Sequence, residues 1–270
     1  MDNQIACHRQ TATLSNTNKV RAIITGMKNN ISVEDLSDCG SPYRIYQDKS
    51  KFCFGIDAIL LADYAKNIRG NKVCDLCTGN GIVPILLAGK IKAEKIHAIE
   101  IQHDMVELAK ESLRLDGLQN RIEVYEGDLK NACSIFEKNT YDAVTANPPY
   151  MKTNSQTQEN PRSIARQEIY CSLEDVIKTA SELLRSNGKF YMIHRPGRIG
   201  EILILLEKYN LGARRMRLVQ PKEGDRPTMV LIEAEKCTRP ELTVESSLMI
   251  YSQPGVYTEE VNRIYGRLPE

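Results

Sequence analysis

The sequence predicts an α/β fold, with a seven-stranded, mostly parallel sheet that ends in a C-terminal antiparallel hairpin. Three observations carry this. From residue 71 onward, short apolar runs alternate with stretches of helical period. The first run, Val73-Cys74-Asp75-Leu76-Cys77, passes through Thr78-Gly79-Asn80-Gly81 into an apolar helix pattern from Ile82. That strand, glycine turn and helix form the opening of a nucleotide-binding βαβ unit. The last two apolar runs, 214–220 and 228–235, are joined only by the polar link 221–227, which a hairpin spans.

Composition sets the bounds. A chain of 270 residues suits one α/β domain with additions, and a formal charge of +1 rules out a strongly basic nucleic-acid coat. No apolar run approaches the ~18 residues of a membrane span, and the N-terminus lacks a signal peptide's apolar core. Eight cysteines fall in apparent core elements without framework spacing, which points to reduced thiols, a cytoplasmic protein and no metal site. Cys74 and Cys77 make a C-x-x-C, but within one strand residues three apart face opposite ways.

Taken in order, residues 1–26 are polar and without period, as expected of a disordered or non-native extension ahead of Met27. Residues 27–70 form a β-rich lead-in, with Tyr43, Ile45 and Tyr46 as apolar contributors, followed by a helix. Asp57 is placed to cap that helix, and Phe52 and Phe54 just before it suit either core or a wall beside a planar ligand. Residues 71–270 hold the sheet. Its second strand ends at Glu100, about 20 residues beyond the glycine turn, where an acid can accept from ribose hydroxyls. A helix over 104–115 leads to a third strand, 122–125, and Asp128 follows it. Only Gly79 and Gly81 are present, so neither a full G-x-G-x-x-G cradle nor a P-loop is formed.

The fourth strand, 141–146, ends at Asn147-Pro148-Pro149-Tyr150. Two prolines donate nothing to a ladder and fix φ, so the strand stops and the chain turns. A neutral amide oxygen and the Pro148 carbonyl can both accept from a planar NH2 group, and Tyr150 offers a ring face. A Pro-Pro turn capping a core strand accounts for the same residues. Residues 151–168 make an unusually long polar connection. A helix from Ser172 or Leu173, a fifth strand over 189–194, a helix over 201–209 and a terminal helix capped by Thr258 complete the chain.

With these residues in place, the chain resembles the Rossmann-like class I S-adenosylmethionine-dependent methyltransferases. The run from Asp75 to Gly81 looks like their first motif, Glu100 their ribose acid and Asp128 their adenine contact. Phe52-Cys-Phe-Gly-Ile-Asp-Ala-Ile-Leu-Leu-Ala-Asp63, Ala146-Asn-Pro-Pro-Tyr-Met-Lys152 and Tyr257-Thr-Glu-Glu260 together resemble the bacterial tRNA1(Val) adenine-37 N6-methyltransferases, from about Met27 to the end. The resemblance implies S-adenosyl-L-methionine held by Phe54, Asp75, Thr78, Gly79, Asn80, Gly81, Glu100, Ile101, Asp128, Leu129 and Asn147. It implies catalysis by Asn147, Pro148 and Tyr150 on an adenine of a tRNA anticodon loop, by a monomer.

RNA needs cations, and eight basic residues face four acidic ones between Arg195 and Arg226. Arg195, Arg198, Lys222 and Arg226, with Lys152, Arg162 and Arg166 from the 151–168 connection, could line a phosphate rim. A solvated face accounts for each cation equally well. Three other readings keep the fold: methylation of a glutamine amide in a release factor, of DNA adenine, or cofactor binding by an inactive RNA scaffold. A nicotinamide oxidoreductase lacks its third glycine here.

Overall fold

Why the sheet divides the molecule into layers is visible in the alternation of its strands. In the computed structural model, which describes residues 30–51, 53–150 and 171–269, Tyr191 and Ile193 pack on one face of a strand and Phe190 and Met192 on the other. Strand β3 (Lys72–Leu76) splits likewise, with Val73 on the first face and Cys74 and Leu76 on the second. Strands apolar on both faces require cover on both. The first face carries α1 (Ile56–Tyr64), α2 (Ile82–Lys90), α3 (His103–Leu115) and the short α6 (Glu259–Ile264). The second carries α4 (Leu173–Leu183) and α5 (Ile199–Lys208).

The parallel strands beside β3 are β4 (Lys95–Glu100), β5 (Ile122–Glu126), β6 (Tyr141–Ala146) and β7 (Leu184–His194). Strands β8 (Leu211–Gln220) and β9 (Met229–Lys236) form the expected hairpin, and β10 (Thr243–Met249) lies outside it. The order is β10-β8-β9-β7-β6-β3-β4-β5. Among the described residues β9 is the one strand of this sheet that runs against the rest. The chain leaves β3 toward β4 and β5, then returns to place β6 on the other side of β3. That reversal opens a crevice at the strands' C-terminal ends, where ligands of open α/β sheets bind.

Several boundaries differ from the sequence expectation. The sheet has eight strands rather than seven: β10 pairs parallel with β8 along an edge, and its sequence, in which only Leu248 is buried, carries no two-residue apolar period. Strand β7 begins at Leu184 rather than 189, because a bulge with Asn187 at φ 61° carries it past Ser186-Asn187-Gly188. Asp57 does not cap α1. Gly55 does, and Asp57 sits inside the first turn. Ser172 and Thr258 do cap: Ser172 forms a reciprocal capping box with Asp175, and Thr258 accepts from Val261 N. Strand β12 (Val256–Tyr257) pairs with β11 (Tyr251–Gln253) and precedes α6, so the terminal helix begins only after the cap.

The lead-in is a hairpin of β1 (Ile31–Asp35) and β2 (Arg44–Asp48). It is fastened to α3 by Arg44, whose guanidinium reaches Asp116 at 2.8 Å and the Leu115 carbonyl at 2.8 Å, and by Tyr46 N donating to Ser112 Oγ at 3.0 Å. Leu36 and Ile45 join the same buried cluster as α1, α2 and α6. Residues 1–26 and Phe52, singled out above, lie outside the described residues.

Candidate active site

The glycine turn after β3 is built by backbone that side chains resist. Gly79 and Gly81 have φ of 57° and 84°, in the left-handed region open to glycine. A Cβ on Gly81 would also stand 3.2 Å from the Ala109 Cβ of α3. Cys77 shares the left-handed conformation at φ 59°. Strand β3 ends at Leu76, so this turn, rather than strand alternation, sets the direction of Cys77. Its thiol packs toward the same core face as Cys74 and lies 3.9 Å from that of Cys171. The Asn80 side chain is buried and donates from Nδ2 to the Tyr46 carbonyl at 3.2 Å, stitching the turn to the N-terminal hairpin.

Beside the turn lies a cavity of about 490 Å³, at the C-terminal ends of β3, β4 and β6 and just beyond β5. Of the residues singled out in the sequence, Phe54, Thr78, Gly79, Asn80, Glu100, Ile101, Asp128, Leu129 and Asn147 line it. Glu100 is buried, yet its carboxylate accepts from Gly79 N at 2.9 Å and from Gln102 N at 3.0 Å. Two backbone amides therefore fix its aim. Asp128 accepts from Lys130 N at 3.0 Å and pairs with Lys130 Nζ at 3.2 Å, as the cap of a short 3-10 turn.

Asp75 lies behind the wall, 1% exposed, with Oδ1 accepting from Thr145 Oγ1 at 2.6 Å. Burial pushes its carboxyl up to about 7, against the pull of the Thr145 and Thr78 hydroxyls. Asp75 Oδ2 and Thr78 Oγ1 are both buried without a partner in good hydrogen-bond geometry. Thr78, at the cavity wall beside a left-handed glycine turn, fits a polar ligand with hydrogen-bonding groups of its own.

Asn147, half-buried, follows the last residue of β6 and faces the cavity. Pro149 also lines it, whereas Pro148 is buried. Tyr150 turns away from the expected open position. Its hydroxyl donates to Asp57 Oδ2 at 2.8 Å and meets the Asn147 amide oxygen, while its ring stands edge-to-face with His194 at 5.4 Å. The Arg195 guanidinium covers that ring at 5.2 Å. Burial, then the Asp57 charge, holds the Tyr150 hydroxyl well above the usual phenol range.

The cations are less available than their number suggests. Arg198 chelates Glu201 at 2.9 and 2.6 Å. Arg214 pairs with Glu235, Arg215 with Glu233 and Glu245, Arg217 with Glu260, and Lys208 with Glu174. Arg195, beside Tyr150, and Lys222 and Arg226, on the β8–β9 turn, are exposed. Arg195 Nη1 donates to the Thr228 carbonyl at 3.2 Å, which brings that turn to the same rim. Lys152, Arg162 and Arg166 lie outside the described residues.

Other cavity residues had no signal of their own in the sequence. Ser50 and Lys51 form a lip, and Lys51 Nζ reaches Asp104 Oδ2 at 2.6 Å across to the start of α3. Met105 and Cys171 complete the apolar wall. Asp57 did have a signal, its place in the Phe-Gly-Ile-Asp run, but local reasoning gave it a cap's role.

Fold and site together define a class I methyltransferase architecture: strand order, glycine turn, strand-end acids and an amide at the switch point. The chain belongs to the methyltransferase small domain family, whose model matches residues 54–198. It is 27% identical over 215 residues to the tRNA1(Val) (adenine(37)-N6)-methyltransferase of Phocaeicola vulgatus, covering 78% of this chain and 90% of that one. The enzyme of the same name from Histophilus somni is 29% identical over 223 residues, covering 81% and 90%. Among solved structures, a predicted O-methyltransferase, protein Atu636 from Agrobacterium tumefaciens, superposes with a TM-score of 0.65 at 27% identity, covering 78% of this chain and 95% of that one.

Proposed function

We propose that this protein transfers a methyl group from S-adenosylmethionine to the exocyclic N6 of an adenine in tRNA, at position 37 of the anticodon loop of tRNA1(Val). The observation that carries the reading is Asn147 lining the same cavity as Glu100 and Asp128. An amide acceptor thus stands within one crevice with the two acids suited to a nucleoside. The names of the relatives above support the tRNA substrate.

When bound, S-adenosylmethionine supplies an electrophilic methyl on a sulfonium. Glu100, aimed by two backbone amides, holds ribose hydroxyls, and Asp128 accepts from an adenine amine. The 78–81 turn would let backbone approach the ligand, with Thr78 offering its hydroxyl at the wall, Asp75 behind it and Phe54 forming a wall. The substrate amine is a weak nucleophile because its lone pair is delocalised into the ring. Asn147 Oδ1 and the Pro148 carbonyl accept its two hydrogens, drawing the nitrogen toward tetrahedral character and aiming the lone pair. That is positioning together with stabilisation of charge developing on nitrogen. Tyr150, backed by His194 and Arg195, forms the rim against which a base splayed out of the loop rests. Arg195, Lys222 and Arg226 meet phosphates.

Methyl transfer from radiolabelled S-adenosylmethionine to unmodified tRNA transcripts, followed by digestion to nucleosides, tests the reading. Label in N6-methyladenosine, falling about a hundredfold in rate with Asn147→Ala, supports it. Label on a release factor or on duplex DNA, run alongside, replaces the substrate and keeps the chemistry.

A further inference from the structure

The Tyr150 hydroxyl has two oxygens within reach, Asp57 Oδ2 at 2.8 Å and the Asn147 side-chain oxygen, but a phenol carries one proton. It can satisfy only one of them. The carboxylate is the stronger acceptor, since bonds to a charged oxygen are about twice as strong as those between neutral groups. The phenol keeps its proton throughout the working range, because burial and the Asp57 charge both oppose its loss. Asn147 is then left facing a phenol oxygen that can only accept. An amide meets that demand with its nitrogen, and which end of an asparagine points where is fixed by the hydrogen-bond network around it.

We propose that Asp57 is a positioning residue whose hydrogen bond to Tyr150 makes that hydroxyl accept from Asn147 Nδ2, turning Asn147 Oδ1 into the cavity. The chain runs Asn147 Nδ2–H to Tyr150 Oη–H to Asp57 Oδ2. Its catalytic consequence rests on the adenine N6 reading, because the oxygen it exposes is the one that accepts from the substrate amine. Asp57 suits the task. It is 8% exposed, sits inside the first turn of α1 rather than on a loop, and its other oxygen accepts from Ala58 N at 3.0 Å. The Tyr150 ring between them is held by His194 edge-on and by Arg195 over its face. Without Asp57 the phenol proton returns to Asn147 and occupies the oxygen the substrate needs.

Side-chain amide NMR of protein labelled with [15N]asparagine tests the orientation without reference to activity. The Asn147 signal is assigned by its absence from Asn147→Ala. The expected result is one Asn147 Nδ2 proton shifted downfield and slow to exchange, lost in Tyr150→Phe and in Asp57→Leu and retained in part by Asp57→Asn, which keeps an acceptor. In the methyl-transfer assay Tyr150→Phe and Asp57→Leu should each lower kcat about tenfold with the KM for S-adenosylmethionine nearly unchanged. The double variant should be no worse than the poorer single one, because both break one chain. Tyr150→Phe preserves the ring and its packing, so it decides the matter if Asp57→Leu does not fold. An Asn147 amide signal that neither variant moves, or kcat losses that multiply, overturns the proposal. A wild-type protein that shows the protected amide but methylates no tRNA sinks the substrate reading and leaves the orientation standing.

Discussion

Lowering the pH below 6.5 should destabilise this protein through His194, and the size of the effect follows from where the ring sits. His194 ends β7, is 0% exposed and packs behind Tyr150. Its Nδ1 accepts from Arg195 N at 2.8 Å, so the neutral ring carries its proton on Nε2. Burial, then the Arg198 charge, pushes its pKa down from the ordinary 6.5 to about 4. The native state therefore resists the proton that the unfolded chain accepts, and stability rises with pH between those values. It is full above 6.5. The loss is about 2 kcal/mol by pH 5 and about 3 kcal/mol below pH 4, since a tenfold change in proton affinity is worth about 1.4 kcal/mol. Asp75 works the other way. Raised from 3.8 to about 7, it contributes stability that is complete below 3.8 and lost as pH rises through 7. A single pH profile mixes the two, so the assay is a difference: urea unfolding of wild type and His194→Leu at pH 7 and pH 5. Asp75 is common to both and cancels. The gap between the two proteins should shift by about 2 kcal/mol in favour of the variant at pH 5. Parallel profiles would refute the buried, neutral ring and the support it gives Tyr150.

Gly81→Ala should cost about 1–2 kcal/mol for the left-handed backbone alone, read as a lower urea midpoint with an unchanged slope. Because the turn borders the cavity, S-adenosylmethionine binding by calorimetry should weaken as well. Replacing Lys222 and Arg226 together with serine should weaken tRNA binding across sequences. It should also reduce the slope of log K against log salt by roughly 0.7–0.9 for each cation that meets a phosphate. An unchanged slope would remove the β8–β9 turn from the RNA-facing surface.

Local rules read the elements well where local physics decides them. Thr258 caps as written and the helix expected from Ser172 or Leu173 starts there, because a hydroxyl three residues from an orphan amide needs no distant partner. The carboxylate that ends β4, the one that follows β5 and the amide after β6 gather at one cavity because parallel strands end on the same side. What failed did so through partners far off in the chain. Asp57 looks like a cap until Tyr150, 93 residues away, is placed on it. The basic run from Arg214 to Arg217 looks available until the ladders bring Glu233, Glu235 and Glu245 across from it and α6 brings Glu260. Strand β10 escaped notice because an edge strand with a single buried side chain, Leu248, needs no apolar period.

The bond from Asn80 to the Tyr46 carbonyl bears on what the smallest working piece of this protein is. The segment shared with the wider family begins at residue 54 and stops at 198. Those borders cut through the pocket rather than around it. The lip at Ser50 and Lys51 and the carbonyl that anchors the glycine turn precede them, and β9, the neighbour that closes β7 on its far side, follows them. Shared ancestry marks out the chemistry here, but the mechanical unit is larger than the inherited one. A fragment trimmed to the shared segment would keep every residue assigned to the methyl donor and lose the scaffolding that holds them in register.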